Sequence, residues 1–475
     1  MKRKVLIASC VALLAGGGCI NLKDAPSARK ESKVPVLQTW AKQAQQDGGK
    51  VQDNWVQSFN DPTLDSLVRE ALNNNYDLQV AAGRRDQAIA IAKRVGADLW
   101  PSADAQGGVS WGAGTQTDHH VLSGVVNWEL DLWGRVRYLT KSAEANVRAA
   151  QADLEFARQS IAAQVAEAYY LAVANRLRLD NSRAFLTMQE EIDRIQQAKL
   201  RQGQADKFES ELSKSDLARF RADVQNYMAA EEQTLRSLEV LLGRFPAAEV
   251  RGAADLPQID TPIPAGIPAN LLSRRPDIRS AQEAVTSAFF GTESVRAELL
   301  PRIALTAQGG WASDAFNGML NQNNLGSSIG ANLAQPLFDA GARFANIEAA
   351  KAVQMQAIAQ YGTVALNAFR EVQDGLANIN YYREQAAQLR LSDVSAQVAL
   401  PLAETKYRSG DLTLLNLKQV QTQTYQTRDA MIVSEYSVLQ QRIQLHRALG
   451  GSIIALPTTQ PAAQPTTQPV AATAQ

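Results

Sequence analysis

The feature that most constrains this chain is an internal duplication. Tyr76-Asp77-Leu78 recurs as Pro276-Asp277-Ile278, an offset of 200 residues (Asp77 to Asp277). At the same offset Ala81 meets Ala281, Ala88 meets Ala288, Val95 meets Val295 and Pro101 meets Pro301. Downstream the offset is 207 (Gly134 to Gly341), and it persists. Lys199, Arg201 and Gly203 align with Lys406, Arg408 and Gly410, and Leu242-Gly243 with Leu449-Gly450. One seven-residue insertion between Pro301 and Gly341 reconciles the two offsets. Residues 51–250 and 251–455 are therefore read as two copies of one unit, which must share one local plan.

Each copy opens with a helix. Asn60-Asp61-Pro62 supplies an N-cap and a proline at the first helical position, and Asp65 is placed for a capping box. An alanine-rich amphipathic helix is expected up to about Trp100, where Pro101 stops it. Pro276 and Asp277 open the second copy in the same way, the acid suiting the helix dipole. The period then changes to two. Ala103, Ala105, Gly107, Val109 and Trp111 alternate with polar residues, as do Leu122, Val126, Trp128 and Leu130. Ile303, Leu305, Ala307, Gly309 and Trp311, then Leu325, Ile329, Ala331 and Leu333, repeat the pattern. Two hairpins of roughly 10-residue strands with one apolar face match the weak dyad signature of outer-membrane barrel strands. The same pattern also fits soluble hairpins on a core. Four strands cannot close around a pore; three chains would supply twelve.

From Arg135 to Arg201 the chain is proline-free and helical in pattern, and roughly 67 residues would extend about 100 Å. Gly203 breaks it and a second helix returns to Leu242-Gly243; the second copy mirrors this from Arg343 to Arg408, turning at Gly410. Helices of this length need partners throughout. Abundant Ala with interspersed Leu, Val and Tyr suits antiparallel coiled-coil packing, in a hollow barrel or a solid rod. Pro401 is expected to kink its helix. Five prolines between Phe245 and Pro268 predict an extended connector.

The termini carry targeting signals. Lys2, Arg3 and Lys4, the apolar run Val5–Leu14 and the small residues Ala15–Gly18 read as a secretory signal over 1–18. Cys19 then resembles the acylated cysteine of a bacterial lipobox, although Gly16 departs from its usual Leu, Val or Ile. Ile20 after it favours outer-membrane sorting. Residues 19–50 read as a lipidated polar tether, and 456–475 as a disordered Pro/Thr/Gln tail. No segment reaches the length of a membrane helix, so a chain bound for the outer membrane must cross it as a barrel or sit on it. The 48 basic and 48 acidic residues leave no basic excess for nucleic acid.

Three ordered motifs now resemble a known family. Trp128-Glu129-Leu130-Asp131-Leu132-Trp133-Gly134-Arg135 is similar to the WELDLWGR signature of TolC/OprM-type outer-membrane efflux lipoproteins. Leu271 to Ile278 resembles their LLxRRPDI block, and Gln335 to Gly341 their xPLFDxG block. The resemblance covers roughly residues 50–453. It implies a mainly α protein with a membrane β-barrel: a homotrimer with a twelve-stranded barrel in the outer membrane lipid and a coiled-coil α-barrel through the periplasm. It further implies a periplasmic adaptor and an inner-membrane transporter, often of the resistance–nodulation–division class, as partners.

The resemblance makes the turns at Gly203 and Gly410 the periplasmic tip that meets the adaptor, with an iris beside it. Tyr407 and Arg408 match common iris positions. Family members often carry an aspartate six residues after the second tip glycine; here that position is Asn416, followed by Gln419. Glu209 holds the equivalent place in the first copy.

Catalytic chemistry finds no foothold. Asp118-His119-His120 reads as a solvated hairpin turn rather than a metal site, and His446 near Arg442 as structural. No phosphate loop, nucleophile elbow or Cys/His cluster stands in a convincing context, and no cofactor is expected. The reading is a passive exit duct. Protein secretion or heavy-metal export on the same fold remains open, as does a non-conducting periplasmic scaffold.

Overall fold

The computed structural model describes residues 22–36, 40, 53–110, 119–204, 206–259, 261–264, 266, 268–314, 316 and 320–451. The signal stretch, Cys19 and the tail lie outside them. A short helix α1 spans Ala28–Ser32. The first copy then supplies α2 (Pro62–Asn74), α3 (Tyr76–Ala97), β1 (Ser102–Ser110), β2 (His119–Leu130), α4 (Arg135–Arg201) and α5 (Lys207–Leu241). The second supplies α6 (Pro268–Arg274), α7 (Pro276–Ala297), β3 (Arg302–Ser313), β4 (Leu325–Ala334), α8 (Ala342–Ser409) and α9 (Leu414–Ala448).

Local chemistry explains the boundaries and corrects two expectations. Asp61 caps α2, accepting from the N–H groups of Thr63 and Leu64, with Pro62 in the first turn. Asp65 makes no capping box; its carboxylate pairs with Arg69 one turn on. The single helix expected to run to Trp100 is broken at Asn75, which takes extended backbone while its Nδ2 donates to the Leu241 carbonyl at 2.9 Å. In the described part of residues 19–50, the Lys23 N–H donates to the Tyr138 hydroxyl and its ammonium to Glu293. The connector from 242 to 266 carries no regular element among its described residues, and α8 continues through Pro401.

The chain divides into two compact units, each drawing on corresponding parts of both copies. The first holds residues 1–37, 77–157 and 275–370. It contains an antiparallel sheet in the order β1-β2-β3-β4, so the two hairpins join through β2 and β3.

The second unit holds residues 38–76, 158–274 and 371–475. One end of its core is aromatic: Trp55 stacks on His446 with ring centres 5.6 Å apart, and Phe59 stacks on Tyr170. Gly243, at positive φ, lets the turn after α5 approach α2; a Cβ there would stand 2.7 Å from the Asn74 carbonyl oxygen. Further along, Phe185, Phe220, Leu400 and Tyr425 form an apolar cluster contributed by all four long helices.

Candidate functional site: a two-faced sheet and two helical tips

The strand register sorts side chains by polarity. Cα partners across an antiparallel ladder share a face. Val109, His120 and Ser313 begin one face, which continues through Gly107, Leu122, Trp311 and Leu325. Ala105, Gly124, Gly309 and Ser327 come next, then Ala103, Val126, Ala307 and Ile329, then Trp128, Leu305 and Ala331, and Leu130, Ile303 and Leu333. The opposite face carries Ser102, Asp104, Gln106, Ser123, Asn127, Thr306, Gln308, Ser328 and Asn332, interrupted by Val121 and Val125. Ile329 and Leu333 on the apolar face are exposed. An apolar face left open in this way needs something apolar to cover it.

Aromatic groups gather at the end of the sheet where strands give way to helices. Trp128 Nε1 donates to the Leu99 carbonyl at 3.0 Å and Trp133 Nε1 to that of Pro301 at 2.7 Å. Trp100, Trp133, Leu337 and Phe338 are exposed there. Amphipathic rings with a tethered polar edge suit a membrane–water boundary.

The strand-to-helix joints account for two of the three motifs. Arg135 makes parallel 2.9 Å hydrogen bonds to both Glu129 oxygens. Asp131 caps α4, accepting from the N–H groups of Val136 and Arg137 and from the Arg137 side chain. Gly134 between them sits at φ +80°. In the second copy Asp339 accepts from the N–H groups of Gly341 and Arg343, and Gly341 takes φ +88°. The third motif places Pro276 in the first turn of α7, with buried Arg275 paired to Asp277 at 2.6 Å. Asp277 is thus an ion-pair partner as much as a helix-start acid.

The two tips close alike. At the end of α4 the Gln204 N–H donates to the Lys199 carbonyl at 2.9 Å, with Gly203 at φ +69°. At the end of α8 the Asp411 N–H donates to the Lys406 carbonyl at 2.9 Å, with Gly410 at φ +86°. Both are left-handed helix stops that glycine makes without strain. The helices leaving the tips begin at Asp206 and Thr413, so Glu209 and Asn416 are each the third residue of their helix. Thr413 accepts from the Asn416 N–H.

Side chains from the two copies interlock beside the tips. The Tyr407 hydroxyl accepts from Gln196 Nε2 at 2.5 Å and from Lys199 Nζ at 3.4 Å, and the Lys199 ammonium lies 4.9 Å from the Tyr407 ring centre. Ile192 of α4 packs with Ala403, Leu414 and Leu417. Lys418, 6% exposed, reaches Asp216 on α5 at 2.7 Å. Well back from the tips, Arg178 on α4 binds Asp429 on α9.

A family model, outer membrane efflux protein, matches residues 67–244 and again 267–451. The chain belongs to this family. Its two matched segments follow the duplication. Among relatives of this efflux protein, the antibiotic efflux pump outer membrane protein ArpC of Pseudomonas putida is 28% identical over 462 residues, covering 94% of this chain and 96% of that one. The cation efflux system protein CusC of Escherichia coli K12 is 25% identical over 405 residues, covering 84% and 88%. The outer-membrane channel OprN superposes with a TM-score of 0.79 at 27% identity, covering 88% of this chain and 98% of that one. The open-state MtrE outer membrane channel of Neisseria gonorrhoeae gives 0.80 at 22% identity, covering 91% and 98%, and shares the fold.

Within this efflux protein, Tyr407 is drawn into contact with the first copy, whereas Arg408, Asn416 and Gln419 are exposed near their turn. Glu209 is half-buried and has no ion pair among the described residues. His119 and His120 belong to β2 rather than to a turn: His119 Nδ1 lies 3.0 Å from Asp314, and His120 meets the Phe316 ring edge-on. Among the described residues no group of His, Cys, Asp and Glu has metal-site geometry. Sequence reasoning overlooked Lys418 and Gln421. Their signal was available: both share the buried face of α9 with Leu414 and Leu417, where a long polar side chain needs a partner.

Proposed function

We propose that three copies of this outer membrane efflux protein form a passive exit duct, the outer-membrane part of a tripartite pump. A periplasmic adaptor and an inner-membrane transporter of the resistance–nodulation–division class would complete it. The observation that carries the reading is the strand register, which gathers apolar side chains on one face and polar ones on the other. Closed into a barrel, such a sheet offers lipid an apolar surface and water a polar lumen, and the aromatic rim falls at one boundary. β1 and β4 are the sheet's edges and are exposed throughout. Neighbouring copies that pair those edges would close a twelve-stranded wall.

The tips are the proposed adaptor contact, with exposed Phe208 and Leu415 next to the turns at Gly203 and Gly410 as the apolar part of the surface. Tyr407, Arg408, Glu209, Asn416 and Gln419 are the proposed iris. Acylation at Cys19 is the proposed anchor. Lys23 is held beside Tyr138 in the first turn of α4, and Cys19 stands four residues before it, within about 14 Å of chain reach. The duct catalyses nothing; it passes what the transporter loads.

Planar-bilayer recording of the purified protein tests the duct. Discrete conductance steps are expected, and they should lengthen or become more frequent when the Tyr407 contact is removed by Tyr407→Phe. A protein that never conducts, in either form, would be a scaffold. Palmitate labelling should be lost in Cys19→Ser; labelling that persists would move the anchor.

A further inference from the structure

The duplication sets two arginines in the same place, one in each copy, and gives them different company. At the offset of 207, Arg176 on α4 matches Arg383 on α8, Glu231 on α5 matches Val438 on α9, and Leu235 matches Arg442. All six line cavities within the second unit, each between a pair of long helices and a stretch of the connector. Both arginines also hold the connector. Arg176 Nη2 donates to the Ala253 and Ala254 carbonyls, and Arg383 Nη2 to that of Ile259 at 3.4 Å.

The first-copy cavity is balanced. Among its described lining residues Arg176 and Arg251 stand with Glu231 and Glu249, two charges of each sign. Glu231 lies within electrostatic reach of Arg176. In the second copy a valine replaces that acid and an arginine replaces Leu235. The described lining then holds Arg383, Arg390 and Arg442 against Glu435 alone. Arg390 already occupies Glu435, with Nη2 at 2.7 Å and Nε at 3.2 Å from one carboxylate oxygen.

Arg442 is left with neutral partners. It is 3% exposed, and its Nη1 and Nη2 donate to the Thr261 carbonyl and hydroxyl at 2.6 and 2.9 Å. Its Nε has no partner among the described residues. Burial first, and the Arg383 charge second, push its pKa down to about 10, and no carboxylate among the described residues offsets them. A buried cation held only by neutral groups is costly, and a bound anion relieves that cost.

The walls select the kind of anion. Leu256, Pro257, Ile259, Ala386, Val438 and Leu439 make much of the lining apolar, around a volume of about 140 Å³. A cavity of roughly 150 Å³ holds a benzene ring. Gln258 and Ala387 on the lining are exposed, so the cavity opens to solvent there. We propose that it binds a small organic carboxylate, with the apolar body among those walls and the carboxylate beside Arg442 and Arg383. Guanidinium groups favour carboxylates because their N–H donors match the two oxygens. Occupancy ties residues 256–261 of the connector to α8 and α9. The site lies within one chain and does not depend on the trimer.

Equilibrium dialysis of the purified full-length protein in dodecyl maltoside, with radiolabelled benzoate, tests the site. Saturable binding, one benzoate per chain, is expected. Toluene lacks the charge and inorganic phosphate lacks the ring, so each should compete at least about tenfold less well than unlabelled benzoate. Val438→Glu and Arg442→Leu each return a position to its first-copy residue type, and each should weaken binding by about tenfold or more. Arg442→Leu also gives up the Thr261 bonds, so Val438→Glu decides if that variant fails to fold. Absence of benzoate binding by the parent overturns the proposal. If Asp260→Asn then binds benzoate, the counter-ion of Arg442 is the chain's own carboxylate between Ile259 and Thr261 in sequence. Toluene competing as well as benzoate would leave only an apolar cavity, and phosphate competing as well only a plain anion site. Binding unchanged in both variants would place benzoate elsewhere. Each of these three results overturns the assignment.

Discussion

Arg178 on α4 grips Asp429 on α9 through two parallel hydrogen bonds, Nε to Oδ1 at 2.7 Å and Nη2 to Oδ2 at 3.0 Å. The bridge joins a helix of the first copy to one of the second. Tyr227 on α5 makes it a triad: its hydroxyl reaches Asp429 at 3.3 Å and its ring lies 4.6 Å from the guanidinium carbon. Asp429→Ala strands a half-buried guanidinium. Charge-assisted hydrogen bonds of this kind contribute about 1–3 kcal/mol, less where water screens them. The expected outcome is a lower melting temperature for Asp429→Ala than for Arg178→Leu/Asp429→Leu, read by calorimetry in detergent. Equal melting temperatures would deny the bridge any structural weight.

His446 should make stability depend on pH. Burial is the main cause, and the nearby Arg442 charge the second, of a pKa pushed down to about 3. Because the folded value lies below the ordinary 6.5, the neutral ring's contribution is complete above pH 6.5. It is lost as pH falls from there toward 3. At pH 5 the deficit is about 2 kcal/mol by linkage. His446→Phe keeps a ring to stack on Trp55 and removes the titration. Thermal melts from pH 7.5 to 4.5 should fall less steeply for the variant; parallel curves would assign the acid sensitivity elsewhere.

Gly203 and Gly410 should differ from ordinary helix ends in what they accept. Neither has a neighbour that a Cβ would strike, so the cost of substitution is backbone strain alone. Valine resists the left-handed region and asparagine enters it readily. Gly410→Val is expected to weaken adaptor capture in a pull-down and to lower drug resistance, with Gly410→Asn near the parent. If both variants behave as the parent does, the tip is not the docking surface.

Much of this architecture could be read from residue order because its signals are local. The period-two stretches became strands, and the proline-free runs became the long helices. What could not be read depends on partners far along the chain. Asn75 breaks the first helix because the Leu241 carbonyl, 166 residues on, takes its amide; no propensity signals that. His119 looked like part of a turn beside Thr117 and Asp118, yet Asp314 across the next hairpin holds it at a strand end. Lys418 with Asp216, and Arg178 with Asp429, join different copies, so neither offset could pair them. At the tips the offset of 207 was enough to match Glu209 with Asn416, and the helix starts agree, because both turns use the same glycine stop.

That match allows a reciprocal exchange at the proposed iris. Glu209 and Asn416 each occupy the third position of the helix leaving a tip, one charged and one neutral. A carboxylate is favoured at either site by the helix N-terminus, so Asn416→Asp should fold without loss. In a trimer each position recurs three times around the axis, and a ring of charge at a narrow point biases permeation toward counter-ions. If both positions face the lumen, Glu209→Gln should reduce cation selectivity and Asn416→Asp should raise it, while the double variant should lie near the parent. Reversal potentials across a tenfold KCl gradient measure this directly, and high salt should blunt each shift by screening. If Asn416→Asp alone shifts the potential, the second tip lines the constriction and Glu209 faces outward. If only Glu209→Gln does, the acidic ring has moved to the first copy.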